Sequence, residues 1–97
     1  MSTQMNTQDF EAQLKAENFD PSVTVSKPAG YLMDEHTHPF EAWALITEGA
    51  ITLHVNGVST TYPAGAMFRL PAGTPHHEDA AAYGVTYLAG RKYSAAV

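Results

Sequence analysis

The segment that decides the fold reads Gly65-Ala-Met-Phe-Arg-Leu-Pro71-Ala-Gly73-Thr-Pro-His76. A short apolar run leads into a bend rich in proline and glycine, and the bend delivers a histidine to the next strand-like run. Two further histidines, His36 and His38, lie earlier in the chain, shortly after Gly30. Alternate side chains of a strand share one face, so this pair can point the same way. Three imidazoles from two such segments are what a divalent metal site inside a small β-barrel requires.

The rest of the chain from Val23 onward has the pattern of a β-protein, with β-branched and aromatic runs broken by Gly, Pro and Asn. Asn56-Gly57 predicts a type I′ hairpin, because both central residues of that turn have positive φ. Eight short strands suggest a compact sandwich or barrel of the jelly-roll kind. The predicted strands are Val23–Ser26, Tyr31–Met33, Phe40–Thr47, Ile51–Val55, Val58–Tyr62, Met67–Leu70, His76–Asp79 and Tyr83–Leu88.

A single helix is predicted before the strands, over residues 6–18. Asn6 can cap it, and Phe10 and Leu14 share one face at i, i+4 spacing. Pro21 prevents the helix from continuing. We therefore expect a helical extension over residues 1–20 that covers the barrel domain, residues 21–97, while the tail from Arg91 to Val97 is expected to be loose.

Length and charge narrow the class of protein. The 97 residues make one domain, and a chain this short gains from oligomerisation or a bound metal, so we expect a homodimer. A net charge of −5 without a basic stripe argues against nucleic-acid binding. The absence of cysteine leaves imidazole, carboxylate and water as metal ligands. With no apolar run long enough to span a membrane and no signal-like N-terminus, we expect a cytoplasmic protein that does not interact with membranes.

The two histidine segments together resemble the motifs of the cupin superfamily, over most of the chain from about Val23 to Leu88. In the first motif a Gly is followed by His-x-His, a Glu and a later Gly, which Gly30, the histidine pair and Gly49 match. Gly65, Pro71, Gly73 and His76 match the second motif at its usual spacings. The resemblance implies an all-β fold, a small single-domain cupin double-stranded β-helix, with a metal in the mouth of the barrel.

Two positions depart from the cupin pattern. Counted back from Gly49, the carboxylate position holds Ala42, and Glu41 stands one residue early. A shift of one residue turns a strand side chain to the opposite face, so Glu41 joins the site only if the strand bends after Pro39. Ala80 replaces the Asn of the second motif. The predicted ligands of a divalent transition metal (Fe, Mn, Ni, Zn or Cu) are therefore His36, His38 and His76, with Glu41 as the conditional fourth.

Three further residues are candidates for a role in or near the site. Glu78 lies two residues after His76 and so faces the same side of a regular strand. It is the candidate catalytic base, a second carboxylate near the metal, a partner that orients an imidazole, or a solvated rim residue. Arg69 could anchor a substrate carboxylate or be an exposed strand residue. If Ala42 and Ala44 face inward, Trp43 faces outward and is covered by the helix or by a second subunit.

A three-histidine centre keeps the positive charge of its metal and favours a small anionic ligand. The resemblance makes a metal-dependent dioxygenase the first functional hypothesis. A non-catalytic small-molecule binding or sensor module is the second. A metal-dependent isomerase or lyase is the third, and it requires an acid–base residue such as Glu78 or a tyrosine.

Overall fold

The computed structural model describes residues 6–93 and gives one helix followed by six strands. Their bounds are α1 Thr7–Ala16, β1 Val23–Lys27, β2 Leu32–His36, β3 Phe40–Val55, β4 Val58–Pro63, β5 Met67–Leu70 and β6 His76–Tyr93. Asn6 caps α1 as predicted, since its side chain accepts a hydrogen bond from the Asp9 amide at 2.8 Å.

The strands form one antiparallel sheet that curls on itself. Its backbone order is β1-β6-β3-β4, with β2 paired to the first part of β6 and β5 to the first part of β3. The two long strands β3 and β6 pair along most of their lengths and carry the other strands on their outer edges. The fold class predicted from the sequence, an all-β cupin fold with a short N-terminal helix, is confirmed.

Six strands replace the predicted eight, because two predicted breaks are bends within continuous strands. The runs at Phe40–Thr47 and Ile51–Val55 join in β3, and those at His76–Asp79 and Tyr83–Leu88 join in β6. Register shifts on both sides of Gly49 let β3 curve without ending. The predicted loose tail is also corrected: its first three residues, 91–93, extend β6, and residues 94–97 lie outside the described part.

The core divides into two layers on opposite faces of β3. Ala44 and Ile46 point into the curled sheet, where Ile51, Leu53, Phe68, Ala80 and Val85 are also buried. Trp43 and Leu45 point outward and are covered by Phe10 and Leu14 of α1 and by Phe19, which follows the helix. The inward parity predicted for the alanines is thus confirmed, and the inner face of β3 leaves space for a cavity.

Candidate metal centre

Antiparallel pairing between β2 and β6 brings His36 to His76, and His38 follows two residues after the end of β2. His36 lies opposite His76 in the register, after an irregularity that follows Met33. The carbonyl oxygen of His38 accepts a hydrogen bond from the Gly73 amide at 2.9 Å, which holds the bend before His76 against the first segment. One ring nitrogen from each histidine lies within 4.8 Å of the other two. The structure therefore brings the three predicted ligands together.

Backbone carbonyls fix which ring nitrogen faces the centre in two of the three histidines. Nδ1 of His36 contacts the Asp34 carbonyl oxygen at 2.7 Å, and Nδ1 of His76 contacts that of Thr74 at 2.9 Å. A carbonyl oxygen only accepts, so each of these Nδ1 atoms carries a proton, and in the neutral imidazole each Nε2 presents its lone pair. Hydrogen bonds of this kind orient imidazoles that ligate metals.

Glu78 places a carboxylate beside these lone pairs. Its Oε1 lies 3.5 Å from Nε2 of His36 and 3.5 Å from Nε2 of His76. The residue is buried, with only 7% of its surface exposed, and Tyr31 donates a hydrogen bond to its other oxygen at 3.4 Å. Two lone pairs and an anion facing one another repel unless a proton or a metal cation lies between them. The donor set therefore fits a divalent transition metal, which imidazole and carboxylate ligands bind well.

Burial and the charge of Glu78 perturb the neighbouring titratable groups. Burial is the main cause that raises the pKa of Tyr31 to about 12, and the Glu78 carboxylate raises it further. Burial is also the main cause that raises the pKa of Tyr87, and the Glu78 carboxylate is again the second cause. Burial lowers the pKa of His38, and the nearby charges of His36, His76 and Arg91 lower it further. At neutral pH both phenols therefore keep their protons, and the neutral form of His38 is favoured.

The cluster lies in the wall of a cavity of about 270 Å³ inside the curled sheet. The cavity is mostly apolar elsewhere, and its walls include Met33, Phe40, Ala42, Ala44, Phe68 and Leu70. Sites of this kind, with few polar groups converging in an apolar cleft, are typical of small-molecule binding. The volume suits a molecule of a few non-hydrogen atoms beyond those that would contact a metal.

Glu41 and Arg69 lie away from the three histidines. The Glu41 carboxylate accepts a hydrogen bond from Nε of Arg69 at 2.8 Å, while Nη2 of Arg69 reaches Glu17 at 2.7 Å. The Arg69 guanidinium also covers the Trp43 ring, 4.3 Å from its centroid. The strand does not bend enough after Pro39 to turn Glu41 inward, and Arg69 ties the end of α1 to the sheet.

Sequence reasoning placed Glu78 at the site but missed Lys27 and Arg91, whose side chains line the cavity. Arg91 was assigned to a loose tail, although alternation with Tyr87 and Ala89 would have placed all three on one strand face. No sequence signal identified Lys27, because the pairing of β1 with β6 is a long-range contact.

Comparison with known proteins agrees with this architecture. The sequence profile of the cupin domain matches residues 23–82. No curated protein sequence matches the chain. No helix within residues 6–93 is long and apolar enough to cross a bilayer.

Solved structures show the same fold at low sequence identity. A protein of unknown function, SPY1581 from Streptococcus pyogenes, superimposes with a TM-score of 0.69 at 21% identity, over 78% of this chain and 66% of its own. The DMSP lyase DddQ from Ruegeria pomeroyi DSS-3 gives 0.69 at 22% identity, over 79% of this chain and 40% of its own. The cupin domain of an XRE family transcriptional regulator from Enterobacter cloacae gives 0.66 at 15% identity, over 84% and 87%.

The chain thus spans less than two thirds of the length of the first two of these structures. The sequence profile covers more than half of the residues. The chain belongs to the cupin domain family.

Proposed function

We propose that this protein is a metal-dependent enzyme that acts on a small anionic molecule by proton transfer, as a lyase or an isomerase. The observation that carries the proposal is the position of Glu78, whose buried carboxylate stands beside two imidazoles with free lone pairs. His36, His38 and His76 would hold the metal. The DMSP lyase with the same fold is a precedent for lyase chemistry in a cupin and adds modest support.

The chain's own residues account for the proton transfer. Glu78 Oε1 would take a proton from a carbon next to a carbonyl group, and the electron pair of that C–H bond would stay on the substrate. The pair would then expel a leaving group from the next carbon, as in a lyase, or take up a proton at another carbon, as in an isomerase. The hydroxyl of Tyr31 holds Glu78 in place through its second oxygen.

A bound divalent metal would supply a Lewis acid that polarises the substrate carbonyl. One carboxylate beside three neutral imidazoles leaves a net positive charge at such a centre, which favours an anionic substrate. The apolar walls limit the access of bulk water to the carboxylate and to the reacting carbon.

A dioxygenase is the second candidate. Three imidazoles leave coordination positions free, and the alanines Ala42 and Ala44 leave open space beside the histidines. This arrangement would admit a chelating anion together with dioxygen. Glu78 has no necessary role in that chemistry, and for this reason proton transfer is preferred. A cytoplasmic location and a homodimer remain predictions from the sequence.

Metal analysis of protein purified without chelators tests the first part of the proposal. We expect about one equivalent of a transition metal in the native chain and loss of most of it in His76→Ala. His77→Ala is the matched control, because the neighbouring imidazole is exposed on the other face of β6. Equal and negligible metal in all three proteins would reject a metal-dependent function.

Deuterium exchange distinguishes the two chemistries. Metal-loaded protein is incubated in D2O with short 2-oxo acids and 3-hydroxy acids, and NMR follows deuterium entry beside the carbonyl or loss of the hydroxyl group. Proton transfer predicts exchange that Glu78→Gln slows by a factor of about 100 or more. Oxygen consumption with diketone or thiol substrates, unchanged by Glu78→Gln, would favour the dioxygenase instead.

A further inference from the structure

Arg91 is a cavity-lining cation without a carboxylate partner in the described residues. It lies opposite Ala42 in the register, and both side chains face the cavity. No ion pair joins Arg91 to an acidic residue within residues 6–93. Arg69, the corresponding cation on the outer face, binds two carboxylates. A guanidinium kept free on the inner face is available to a ligand.

Aromatic rings hold the Arg91 guanidinium near the histidines. Its carbon lies 5.2 Å from the centroid of the Phe40 ring. That ring stacks on His38 with centroids 4.7 Å apart and an interplanar angle of 17°. Packing against an aromatic face restricts the rotamers of arginine without satisfying its N–H donors. The Phe40 ring therefore lies between the N–H donors of Arg91 and His38, one of the proposed metal ligands.

The charges of the cavity contrast with those of the chain. The net charge of the protein is −5, yet the cavity is lined by two cations, Lys27 and Arg91, and one carboxylate, Glu78. Glu78 is already engaged by Tyr31 and faces the imidazoles. Lys27 packs over the Tyr31 ring, 4.9 Å from its centroid. Basic groups concentrated in a cleft with apolar walls attract anions to it.

We propose that Arg91 binds the carboxylate group of a short carboxylic acid, whose other end faces His36, His38 and His76. This inference rests on the proposed function and adds the substrate class to it. The planar guanidinium fork matches a carboxylate in a bidentate contact. A phosphate dianion is less suited, because the described cavity offers one guanidinium at this position and apolar walls around it.

Binding of butanoate to the full chain tests the proposal, with butanamide as the uncharged probe of the same shape. Ligand-observed NMR measures both affinities in metal-free and metal-loaded protein. We expect butanoate to bind in both forms and butanamide to bind at least ten times more weakly. Arg91→Gln should weaken butanoate binding at least tenfold, and Arg91→Lys by a smaller factor, since an ammonium keeps the charge but not the fork.

Lys92→Gln is the matched control, because it removes the same charge from the adjacent residue. Lys92 lies opposite Glu41 on the outer face of β6. The butanoate affinity of Lys92→Gln should stay within a factor of two of the native value. Ala42→Glu, studied in metal-free protein, supplies a second test, since it places a carboxylate opposite Arg91 that should compete with butanoate within the same molecule.

The outcomes separate this inference from the proposed function. Native metal content in Arg91→Gln together with weakened butanoate binding supports the proposal. Butanoate binding that depends on Arg91 in a chain that takes up no metal also supports it, while the proposed function fails. Butanoate affinity unchanged in both Arg91→Gln and Ala42→Glu overturns it, as does equal loss in Lys92→Gln. Tighter binding of inorganic phosphate than of butanoate overturns the assignment to a carboxylate.

Discussion

At the scale of single residues, the two carboxylates near the site differ in what surrounds them. Glu41 is held by Arg69 on the outer face, whereas Glu78 lies beside two imidazole nitrogens on the inner face. We expect Glu41→Gln to leave metal affinity unchanged. Glu78→Gln should weaken it about 10- to 100-fold, because the anion nearest the imidazoles is lost. Competition with a fluorescent chelator measures both values, and the reverse order would show that Glu41 reaches the metal.

Gly49 shows how one residue allows the sheet to curl. Its φ is +72°, and a Cβ built there would lie 2.0 Å from the carbonyl oxygen of Gly84. We expect Gly49→Ala to lower the free energy of unfolding by about 3 kcal/mol or more, through backbone strain and a clash with the main chain. Gly57→Ala is the control, because φ is +78° there but no atom lies within 4 Å of the added carbon.

Chemical denaturation measures both glycine variants. Gly57→Ala should cost about 1–2 kcal/mol, from the left-handed conformation alone. Equal losses in the two variants would mean that the approach of β6 to Gly49 contributes nothing. Gly49 is also the last glycine of the first cupin motif, so this packing gives a physical reason for a glycine there.

At the scale of elements, α1 packs on the outer face of β3 through an apolar layer. Ion pairs of Arg69 with Glu17 and Glu41 lie at the edge of this layer. Phe10 and Leu14 are fully buried, and the Phe10 and Trp43 rings meet edge to face with centroids 5.7 Å apart. Gly90 leaves room for this contact, since a Cβ there would lie 2.5 Å from a methyl group of Leu14. Arg69 covers Trp43 and binds Glu17 at the end of the helix.

The contact between Glu17 and Arg69 predicts a dependence of stability on pH. The hydrogen bond from Arg69 lowers the pKa of Glu17 below its ordinary value of 4.5. A lowered carboxyl pKa stabilises the folded state above the ordinary value, and this stabilisation is lost as pH falls through the lowered one. Urea unfolding between pH 7 and pH 3 should therefore show native protein more stable than Glu17→Gln above pH 4.5, with the difference shrinking below it. Parallel curves over the whole range would contradict the contribution of this pair.

Local patterns predicted what depends on strand parity and turn chemistry. Asn6 as a cap, the turn at Asn56-Gly57, the inward alanines and the outward Trp43 all follow from neighbours in sequence. Two kinds of feature could not be found in this way. The continuity of β3 and β6 depends on partner strands that support their bends. The presence of Lys27 and Arg91 in one cavity depends on how distant strands curl together.

At the scale of the whole molecule, this small fold holds in its interior a carboxylate that faces two imidazole nitrogens. A chain of 97 residues has limited apolar surface to bury, so an unfavourable cluster in its interior weighs on its total stability. His76 is 2% exposed and Glu78 is 7% exposed, which removes most of the water that would screen them. A cation bound between them would remove the repulsion and link the two segments that carry the histidines.

Metal binding should therefore raise the thermal stability of the whole domain. A ligand present at about 1,000 times its Kd stabilises the folded state by about 4 kcal/mol. In a domain of this size each kcal/mol raises Tm by about 4–8 °C, so we expect a rise of about 15–30 °C. Differential scanning calorimetry of the apo-protein, with and without added Ni²⁺ or Mn²⁺, measures it. His77→Ala should show the same rise and His76→Ala little or none. A Tm that does not respond to metal in native protein would contradict a cation site at the three histidines.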